Sequence, residues 1–482
     1  MKADFIQEPE LEFGAGTHVD IRFGLMNHGP LDRRGELAPQ RVRLGIVGTP
    51  EGVEGVHAWV ERIGGGVEAK DSRQPHLFPR FPGFGEHSNL HAPMAVDTRL
   101  HGIVKQRDLD ELFKSSDRNR VVEEAAGMFV SEMRRLTEKA SADVLVCAVP
   151  EGLLDYMEQA RPAEEADDES DQEPEAYINL DFHHLLKARA MDLGVPIQLL
   201  LPSTYDESKR RRQKRNTGRI RRLQDEATRA WNIYTALYYK AGGIPWRILR
   251  DPGELTSCYV GVSFYNTLDK SRLLTSTAQV FNERGEGIVL RGGTAERSKD
   301  DRQVHMSGED AHKLLDDTLK TYRREHRTLP ARVAIYKTSA HNGEELDGFR
   351  QALQANGVDS ADFLNVGGSS TRLFRGGEYP PLRGTFLSLG KRTHLLYTRG
   401  SVDFFSTYPG MYVPNPLRLL CDDVEQTPSF LASEILALTK MNWNNTQFDN
   451  RSPITLRAAR GVGSILKYVG DGRVQPRYSY YM

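Results

Sequence analysis

Short apolar runs that alternate with helical segments constrain the N-terminal half of this chain most strongly. Val42–Val47, Asp143–Val149 and Pro196–Leu201 each have the length and apolar character of one buried strand. Between the first two, Arg120–Lys139 repeats apolar residues at the spacing of one helix face. Strands that alternate with helices form a parallel sheet with helices on its faces, so the pattern predicts a doubly wound α/β layer. The glycine-rich stretch Gly48–Gly55 predicts a turn.

A helix with a well-marked end follows that layer. Residues 223–246 read LQDEATRAWNIYTALYYKAGGIPW, with apolar residues at i, i+4, i+7 and i+8 from Ala230. Gly242 and Gly243 end the helix, and the proline behind them prevents it from restarting. Lys240 falls in the last turn, where a lysine either complements the helix dipole or reaches an anionic ligand such as a phosphate.

The second half of the chain, from about Asp251, predicts another sheet. Its predicted strands and helices alternate less regularly than those of the first half. The strands are Cys258–Tyr265, Arg332–Tyr336 and His394–Thr398, and the helices are Ala311–Glu325, Ser429–Lys440 and Ile454–Val469. This order is compatible with an RNase H-like sheet flanked by helices.

Three segments of the chain resemble the short prokaryotic Argonautes, which consist of MID and PIWI domains only. They are ELEFGAGTHVDIRFGLMNHGPLD near the start, the helix that ends in KAGGIPW, and LALTKMNWNNTQFDNRSPITLRAARGVGSIL near the end. The resemblance implies an α/β protein with a Rossmann-like MID domain and its N-terminal extension over residues 1–250. An RNase H-like PIWI domain over residues 251–482 would follow.

The resemblance also implies a pocket for the 5′ phosphate and first base of a guide strand. Tyr205 and Lys209 have the family's Tyr-x-x-x-Lys spacing, in which the tyrosine stacks on the first base and the lysine contacts the phosphate. Lys240 is the second pocket lysine. An aromatic face accepts any base, and two lysines neutralise a terminal phosphate. We take Gln224 as the pocket glutamine, and Gln213 is the competing candidate.

The end of the chain and a basic run add to this predicted site. In related Argonautes the terminal carboxylate helps to hold a divalent cation against the guide phosphate, so Met482 would hold Mg²⁺ here. Nine basic residues and no acidic one lie between Lys209 and Arg222. Such a run is either a solvated loop or a surface for nucleic-acid backbone. The predicted backbone contacts are Arg210, Arg211, Arg212, Lys214, Arg215 and Arg219.

The residues expected at a PIWI catalytic centre are not acidic. A cutting PIWI domain uses a cluster of carboxylates, with one acidic or histidine position, to hold two divalent metal ions. At the matching positions this chain has Ser263, Thr338 and Arg460. A guanidinium repels a metal ion, and two hydroxyls do not replace two carboxylates. The sequence therefore predicts that the chain is not an enzyme, with any enzymatic activity in a partner subunit.

A rearranged metal site would make the chain a self-sufficient guided nuclease, which is the alternative. The carboxylates available for it are Asp251, Glu254, Asp269, Glu344 and Glu345. They fall on predicted loops or helices rather than at the strand positions that the chemistry uses. A third possibility is a guide-free α/β protein whose basic run grips nucleic-acid backbone.

The resemblance implies partners as well. It implies a short 5′-phosphorylated RNA or DNA guide, a DNA target from an invading plasmid or phage, and a heterodimer with an APAZ-domain effector protein. Such effectors are NAD-consuming TIR or sirtuin-like domains, or nucleases, and some of these systems assemble further on target binding. Target recognition would then activate the effector as a bacterial defence.

Composition limits where such a protein would act. No apolar run approaches the length of a membrane span, and the first residues lack the apolar core of a secretory signal. Cys147, Cys258 and Cys421 lie far apart, without metal or disulfide spacing. We therefore expect a prokaryotic cytoplasmic protein. The formal net charge is only -2, although residues 164–175 form an acidic run. We interpret that run as a solvated loop.

Overall fold

A computed structural model describes residues 2–159, 180–209, 224–249, 253, 255–281, 287–373, 380–408, 413–470, 472 and 474–482. The chain forms two compact units. Unit 1 comprises Met1–Glu36, Arg73–Leu77 and Ile244–Met482, and unit 2 comprises Leu37–Ser72 and Phe78–Gly243. The first 36 residues thus fold with the C-terminal half of the chain. The domain boundary predicted at residue 250 stays a prediction.

The described strands and helices are numbered in chain order. The strands are β1 (Lys2–Phe5), β2 (Leu11–Phe13), β3 (Gly16–His18), β4 (Val42–Gly48), β5 (Met94–Ile103), β6 (Val144–Ala148), β7 (Ile197–Leu200), β8 (Arg247–Ile248), β9 (Ser257–Asn266), β10 (Leu273–Phe281), β11 (Gly287–Arg297), β12 (Val304–Met306), β13 (Arg332–Lys337), β14 (Ser360–Gly368), β15 (Thr385–Ser388), β16 (Thr393–Leu396) and β17 (Leu417–Asp423). The helices are α1 (Ile21–His28), α2 (Pro50–Gly64), α3 (Gln106–Leu112), α4 (Arg118–Lys139), α5 (Glu151–Gln159), α6 (Phe182–Ala190), α7 (Pro202–Tyr205), α8 (Glu226–Lys240), α9 (Gly308–His326), α10 (Gly343–Asn356), α11 (Pro428–Leu438) and α12 (Ile454–Val469).

Unit 2 contains the predicted parallel sheet. Its strand order is β5-β4-β6-β7, and every neighbouring pair is parallel. The three apolar runs form β4, β6 and β7, which confirms these predictions. The predicted amphipathic helix is α4, whose buried residues include Val121, Phe129 and Met133. Asp117 caps its first turn by accepting a hydrogen bond from the backbone N–H of Arg120.

The prediction of a turn at Gly48–Gly55 is wrong, because helix α2 begins there. Thr49 caps this helix by accepting a hydrogen bond from the Gly52 N–H, and Pro50 occupies its first turn. The glycines within the helix allow close packing instead of a turn. A Cβ at Gly55 would lie 2.7 Å from Cε2 of Tyr205, so the missing side chain makes room for that ring.

Unit 1 contains a ten-stranded sheet in the order β1-β15-β16-β17-β14-β13-β9-β10-β11-β12. The central strands β9, β13 and β14 are parallel, and β10 and β11 continue the sheet as antiparallel strands. The predicted strands correspond to β9, β13 and β16, and the predicted helices to α9, α11 and α12, so these predictions are confirmed. A smaller sheet has the order β3-β2-β8.

Helices cover both faces of the large sheet. Val260 and Ile335 belong to an apolar cluster that also contains residues of α9 and α10. On the other face, the backbone of Thr455 in α12 lies so close to Gly261 that a Cβ there would clash with it. Side chains alternate between the faces along a strand, so each strand position can be assigned to one helix layer. Among the described residues, no helix combines the length and apolar character that a membrane crossing requires.

Candidate nucleic-acid interface

Tyr205 and Lys209 lie just beyond the carboxyl end of β7. Tyr205 ends the short helix α7, and Lys209 ends a 3-10 turn over Glu207–Lys209. The Tyr205 ring packs against helix α2 beside Gly55 and is only partly buried. Ligands of open α/β sheets bind outside the carboxyl ends of the strands, so these two residues occupy a favourable place for a ligand.

Arg229 of α8 holds this segment in place. Its side chain is 5% exposed, and Nη1 donates hydrogen bonds to the backbone carbonyls of Ser203 (2.7 Å) and Thr204 (3.0 Å). Nη2 donates to the Glu207 carboxylate at 2.7 Å. The first turn of α8 therefore holds the backbone just before Tyr205 and the Glu207 side chain just after it. The sequence gives no sign of this role of Arg229, because its main partners are backbone carbonyls, which leave no residue pattern.

Lys240 is buried at the other end of β7. Its ammonium donates hydrogen bonds to the Ile197 carbonyl (2.9 Å) and to Oε1 of Gln198 (2.6 Å). Burial, together with the neighbouring charge of Lys187, lowers the pKa of Lys240 well below its ordinary value. Ile197 is the first residue of β7, whereas Tyr205 lies beyond the last one.

The described conformation does not place Lys240 beside Tyr205. Arg229 contacts the Tyr205 segment from the start of α8, and Lys240 is the last residue of that helix. At about 1.5 Å per residue, roughly 16 Å of helix separates Arg229 from Lys240. Tyr205 and Lys240 therefore lie at opposite ends of β7 in this conformation, and the predicted pocket of Tyr205, Lys209 and Lys240 stays a prediction. The sequence predicted correctly that Lys240 lies in the last turn of the helix, but it gave no sign that the side chain points towards the Ile197 carbonyl.

Gln224 is also distant from Lys240. It lies before the first residue of α8 and is exposed, and its Oε1 accepts a hydrogen bond from Nδ2 of Asn232 at 3.1 Å. The intervening helix is about 21 Å long, so Gln224 and Lys240 lie at opposite ends of α8, and the role of Gln224 in the pocket stays a prediction. The competing candidate Gln213 lies outside the described residues. The predicted backbone contacts also lie outside them: Arg210, Arg211, Arg212, Lys214, Arg215 and Arg219.

Ser263 and Thr338 lie next to each other on two parallel strands, where β13 ends beside β9. The Thr338 N–H donates a hydrogen bond to the Val262 carbonyl at 3.2 Å, which links the end of β13 to β9. Ser263 shares a sheet face with Gly261, and this is the face that α12 covers. Alternation along β13 directs Thr338 to the same face, because Ile335 faces the opposite helices.

Arg460 belongs to the helix that covers this corner. It lies in α12 and is exposed, with a Ser464 hydroxyl donating to its carbonyl at 3.2 Å. The structure thus brings the strand positions predicted from the resemblance to one sheet corner and places Arg460 on the covering helix. Ser263, Thr338 and Arg460 supply two hydroxyls and a guanidinium, a set that is poorly suited to holding metal ions.

The carboxylates of the alternative nuclease do not gather at that corner. Glu345 is fully buried, and both its oxygens accept hydrogen bonds from the Lys337 ammonium, at 2.5 and 2.7 Å. Asp269 lies in an exposed turn, where it accepts hydrogen bonds from Thr267 and Ser271. Glu344 is exposed, and Asp251 and Glu254 lie outside the described residues. Within the described ranges, none of them belongs to a group that could hold a metal ion.

One group of side chains elsewhere has the geometry of metal ligands. Asp181, His183 and His184 offer ligand atoms within 4.8 Å of one another, at the start of α6. Asp181 already caps this helix by accepting a hydrogen bond from the His184 N–H. The positive charges of Lys187 and Lys240 act on His183 and oppose a bound cation. We therefore assign no metal to this group.

The C-terminal tail packs beside strand β11 within unit 1. The Val289 N–H of β11 donates a hydrogen bond to the Pro476 carbonyl at 2.8 Å, and the Tyr481 hydroxyl donates to the Gln475 carbonyl at 3.0 Å. Met482 is 4% exposed. The end of the tail is therefore packed rather than exposed. A carboxylate is a ligand that Mg²⁺ accepts, but the predicted magnesium role of Met482 stays a prediction.

Comparison with solved structures shows what fold these elements form. The chain is similar to Clostridium butyricum Argonaute, in a structure bound to a guide DNA and a 19-mer target DNA, with a TM-score of 0.65 at 15% identity. It is also similar to Drosophila Piwi, with a TM-score of 0.56 at 12% identity. The matches cover 99% and 100% of this chain but only 54% and 56% of those chains. Neither a protein-family model nor a curated protein matches the sequence.

The chain has an Argonaute-like fold. The parallel sheet of unit 2 and the large sheet of unit 1 correspond to a Rossmann-like MID domain and an RNase H-like PIWI domain, which confirms the predicted fold class. Identities this low establish the fold alone, and the chain spans about half the length of these two proteins. What it binds has to be argued from its own residues.

Proposed function

We propose that this chain binds a 5′-phosphorylated guide strand and uses it to recognise complementary DNA, without cutting that DNA. The fold supports the proposal, since it is shared with an Argonaute whose structure holds a guide and a target. In such a protein, base pairing reads the sequence and the protein holds the backbone, as in other guided systems.

The placement of Tyr205 and Lys209 is the observation that carries this proposal. A partly buried aromatic ring and a lysine four residues later follow the carboxyl end of a parallel strand. Arg229 fixes the backbone just before Tyr205 with a buried guanidinium. The ring offers a face on which the first base stacks, and the lysine supplies a charge for the phosphate.

Lys240 has a different part in the proposal. Its ammonium is held by Ile197 and Gln198, so it reaches a guide phosphate only after giving up both hydrogen bonds. A phosphate would favour the charged form that burial disfavours. We retain Lys240 as a proposed guide contact in a rearranged, loaded state. Mg²⁺ beside the Met482 carboxylate belongs to the same proposed state.

The absence of cutting rests on the corner formed by Ser263, Thr338 and α12. A hydroxyl within β9 and a hydroxyl directly after β13 supply no anionic oxygen, which a pair of divalent metal ions requires. We therefore propose that an associated APAZ-domain effector protein carries the enzymatic activity. That protein would deplete NAD or degrade nucleic acid when target DNA of a plasmid or phage is recognised, as a prokaryotic immune response.

Guide binding is tested with one short RNA that carries either a 5′ phosphate or a 5′ hydroxyl. We expect the phosphate to tighten binding at least tenfold, about 1.4 kcal/mol, and Lys209→Ala to erase that difference. The exposed Arg107 of α3 provides a control, since Arg107→Ala removes one positive charge from the same unit. Equal binding of both RNAs by the wild type would refute the guide pocket.

The effector is tested by coexpression with an APAZ-domain protein that carries a NAD-consuming domain. We expect the two chains to copurify and NAD to fall only when both guide and complementary DNA are present. Target cleavage by this chain alone, dependent on Mg²⁺ or Mn²⁺, would instead support the self-sufficient nuclease.

A further inference from the structure

One face of helix α2 carries two glycines where the Tyr205 ring packs against it. Gly52 and Gly55 lie three residues apart, which places them on the same face of the helix. A Cβ at Gly55 would lie 2.7 Å from Cε2 and 2.9 Å from Cδ2 of the ring, and a Cβ at Gly52 would lie 3.5 Å from the Tyr205 hydroxyl oxygen. The ring therefore lies along the glycine face, with its hydroxyl beside the first turn of the helix.

Gly55 is the position at which this contact leaves no space for a side chain. Carbon atoms in contact are usually about 3.5–4.0 Å apart, so a methyl group at Gly55 would displace the ring by about 1 Å. Glycine is also a poorer helix former than alanine, so the helix itself does not account for Gly55. A glycine in α4 shows the contrast, because a Cβ at Gly127 would have no atom of the described residues within 4 Å.

The backbone that carries the ring is held separately. Arg229 donates hydrogen bonds to the carbonyls of Ser203 and Thr204, at 2.7 and 3.0 Å, just before Tyr205. Helix α8 therefore fixes the backbone of this segment, and helix α2 fixes the position of the ring. The ring is only partly buried by these contacts, so part of its surface stays open to a ligand.

We propose that Gly55 is a positioning residue for the first base of the guide, because it admits the Tyr205 ring against α2 and so sets where that base stacks. This inference rests on the proposed function, in which the Tyr205 ring accepts the base. Aromatic rings stack at preferred distances and offsets, so a displacement of about 1 Å should weaken the stack. The phosphate contact of Lys209 comes from a point charge on a flexible stem and depends less on the ring.

The test compares two 5′-phosphorylated RNAs that differ only at the first nucleotide, which is either intact or abasic, at one fixed salt concentration. We expect the wild type to bind the intact RNA more tightly by about fivefold or more, as base–aromatic stacking provides. Gly55→Ala should lose most of this ratio and keep the preference for a 5′ phosphate over a 5′ hydroxyl. Gly127→Ala is the matched control, since it makes the same change in an open position and should keep both.

A double-mutant cycle shows whether Gly55 acts through the ring. In a Tyr205→Ala background, Gly55→Ala should have no further effect on binding of the intact RNA. An equal loss in both backgrounds would overturn the proposal, as would a wild-type ratio in the Gly55 variant.

A further variant keeps the test decisive if Gly55→Ala fails to fold. Tyr205→Phe leaves the ring beside Gly55 and should keep the ratio between intact and abasic RNA. Loss of that ratio would assign the position of the ring to its hydroxyl and overturn the proposal. A wild type that prefers the 5′ phosphate but ignores the first base would overturn this inference alone, whereas indifference to both would overturn the proposed function as well.

Discussion

Replacing Arg229 should loosen the segment that carries Tyr205. The change Arg229→Met keeps a side chain of similar length but removes every hydrogen-bond donor. It leaves the carbonyls of Ser203 and Thr204 without the donors that satisfy them, at 2.7 and 3.0 Å in the wild type. The backbone around Tyr205 would then be free to move relative to α8.

The structure gives the size of this effect. A hydrogen bond from a charged donor contributes roughly 1.5–3 kcal/mol, and Arg229 makes two of them to carbonyls. Its third bond goes to Glu207, which is 53% exposed, so that ion pair adds only about 0–1 kcal/mol. Removing a buried guanidinium also relieves its desolvation cost. We expect a net loss of about 2–4 kcal/mol in the free energy of unfolding of unit 2.

Two readouts check this prediction. Urea denaturation measures the loss of stability, and hydrogen exchange of residues 202–209 measures the loosening directly. The 5′-phosphate preference of guide binding should fall with it. As a control, Arg107→Met replaces an exposed arginine and should change stability by less than about 0.5 kcal/mol. Unchanged exchange of residues 202–209 in the Arg229 variant would refute the positioning role.

Three further outcomes are expected. Gly261→Ala should destabilise unit 1 by about 1–3 kcal/mol, since the added Cβ on β9 would overlap the backbone of Thr455 in α12. As a control, a Cβ at Gly461, also in α12, has open space, so Gly461→Ala should leave stability unchanged or raise it. Glu8→Gln should destabilise the protein at pH 7 by about 3–5 kcal/mol, because it leaves Lys440 short of a buried anion. Burial alone would raise the pKa of Glu8, but its two cationic partners lower it, so this stability is present above about pH 4.5 and is lost as the pH falls further. Urea titrations should therefore show a smaller difference in the free energy of unfolding between Glu8→Gln and the wild type at pH 3 than at pH 7. An equal difference at both pH values would contradict the stabilising role of the Glu8 carboxylate. Finally, a guide-loaded chain with Mg²⁺ or Mn²⁺ should leave complementary DNA uncut on a denaturing gel.

The sequence predicted most of the sheet framework, because apolar runs carry a strong signal. The runs that became β4, β6 and β7 are apolar on both faces, as expected for strands covered by helices on both sides. Helix α2 was missed because glycine and proline are usual in turns, although here the proline starts the helix and the glycines admit a neighbouring ring.

The candidate site was less accessible from the sequence. The resemblance placed Ser263 on the opening strand of the second sheet and Thr338 at the end of another strand, and the structure has Ser263 within β9 and Thr338 directly after β13. The resemblance did not reveal that Lys240 turns inward to the Ile197 carbonyl, because a helical pattern shows the burial of a face and not the partner of a single ammonium. The role of Arg229 could not be predicted from the sequence, because it donates hydrogen bonds to backbone carbonyls, which every residue has.

Guided recognition itself is tested most directly by comparing two single-stranded DNA targets on protein loaded with one 5′-phosphorylated RNA. One target is complementary to the guide and the other has the same composition in scrambled order, at one fixed salt concentration. The proposal predicts that the complementary DNA binds at least a hundredfold more tightly, about 2.7 kcal/mol, and that the difference disappears without guide. Equal affinity for both targets, falling with salt alone, would show a guide-free nucleic-acid-binding protein and contradict the account.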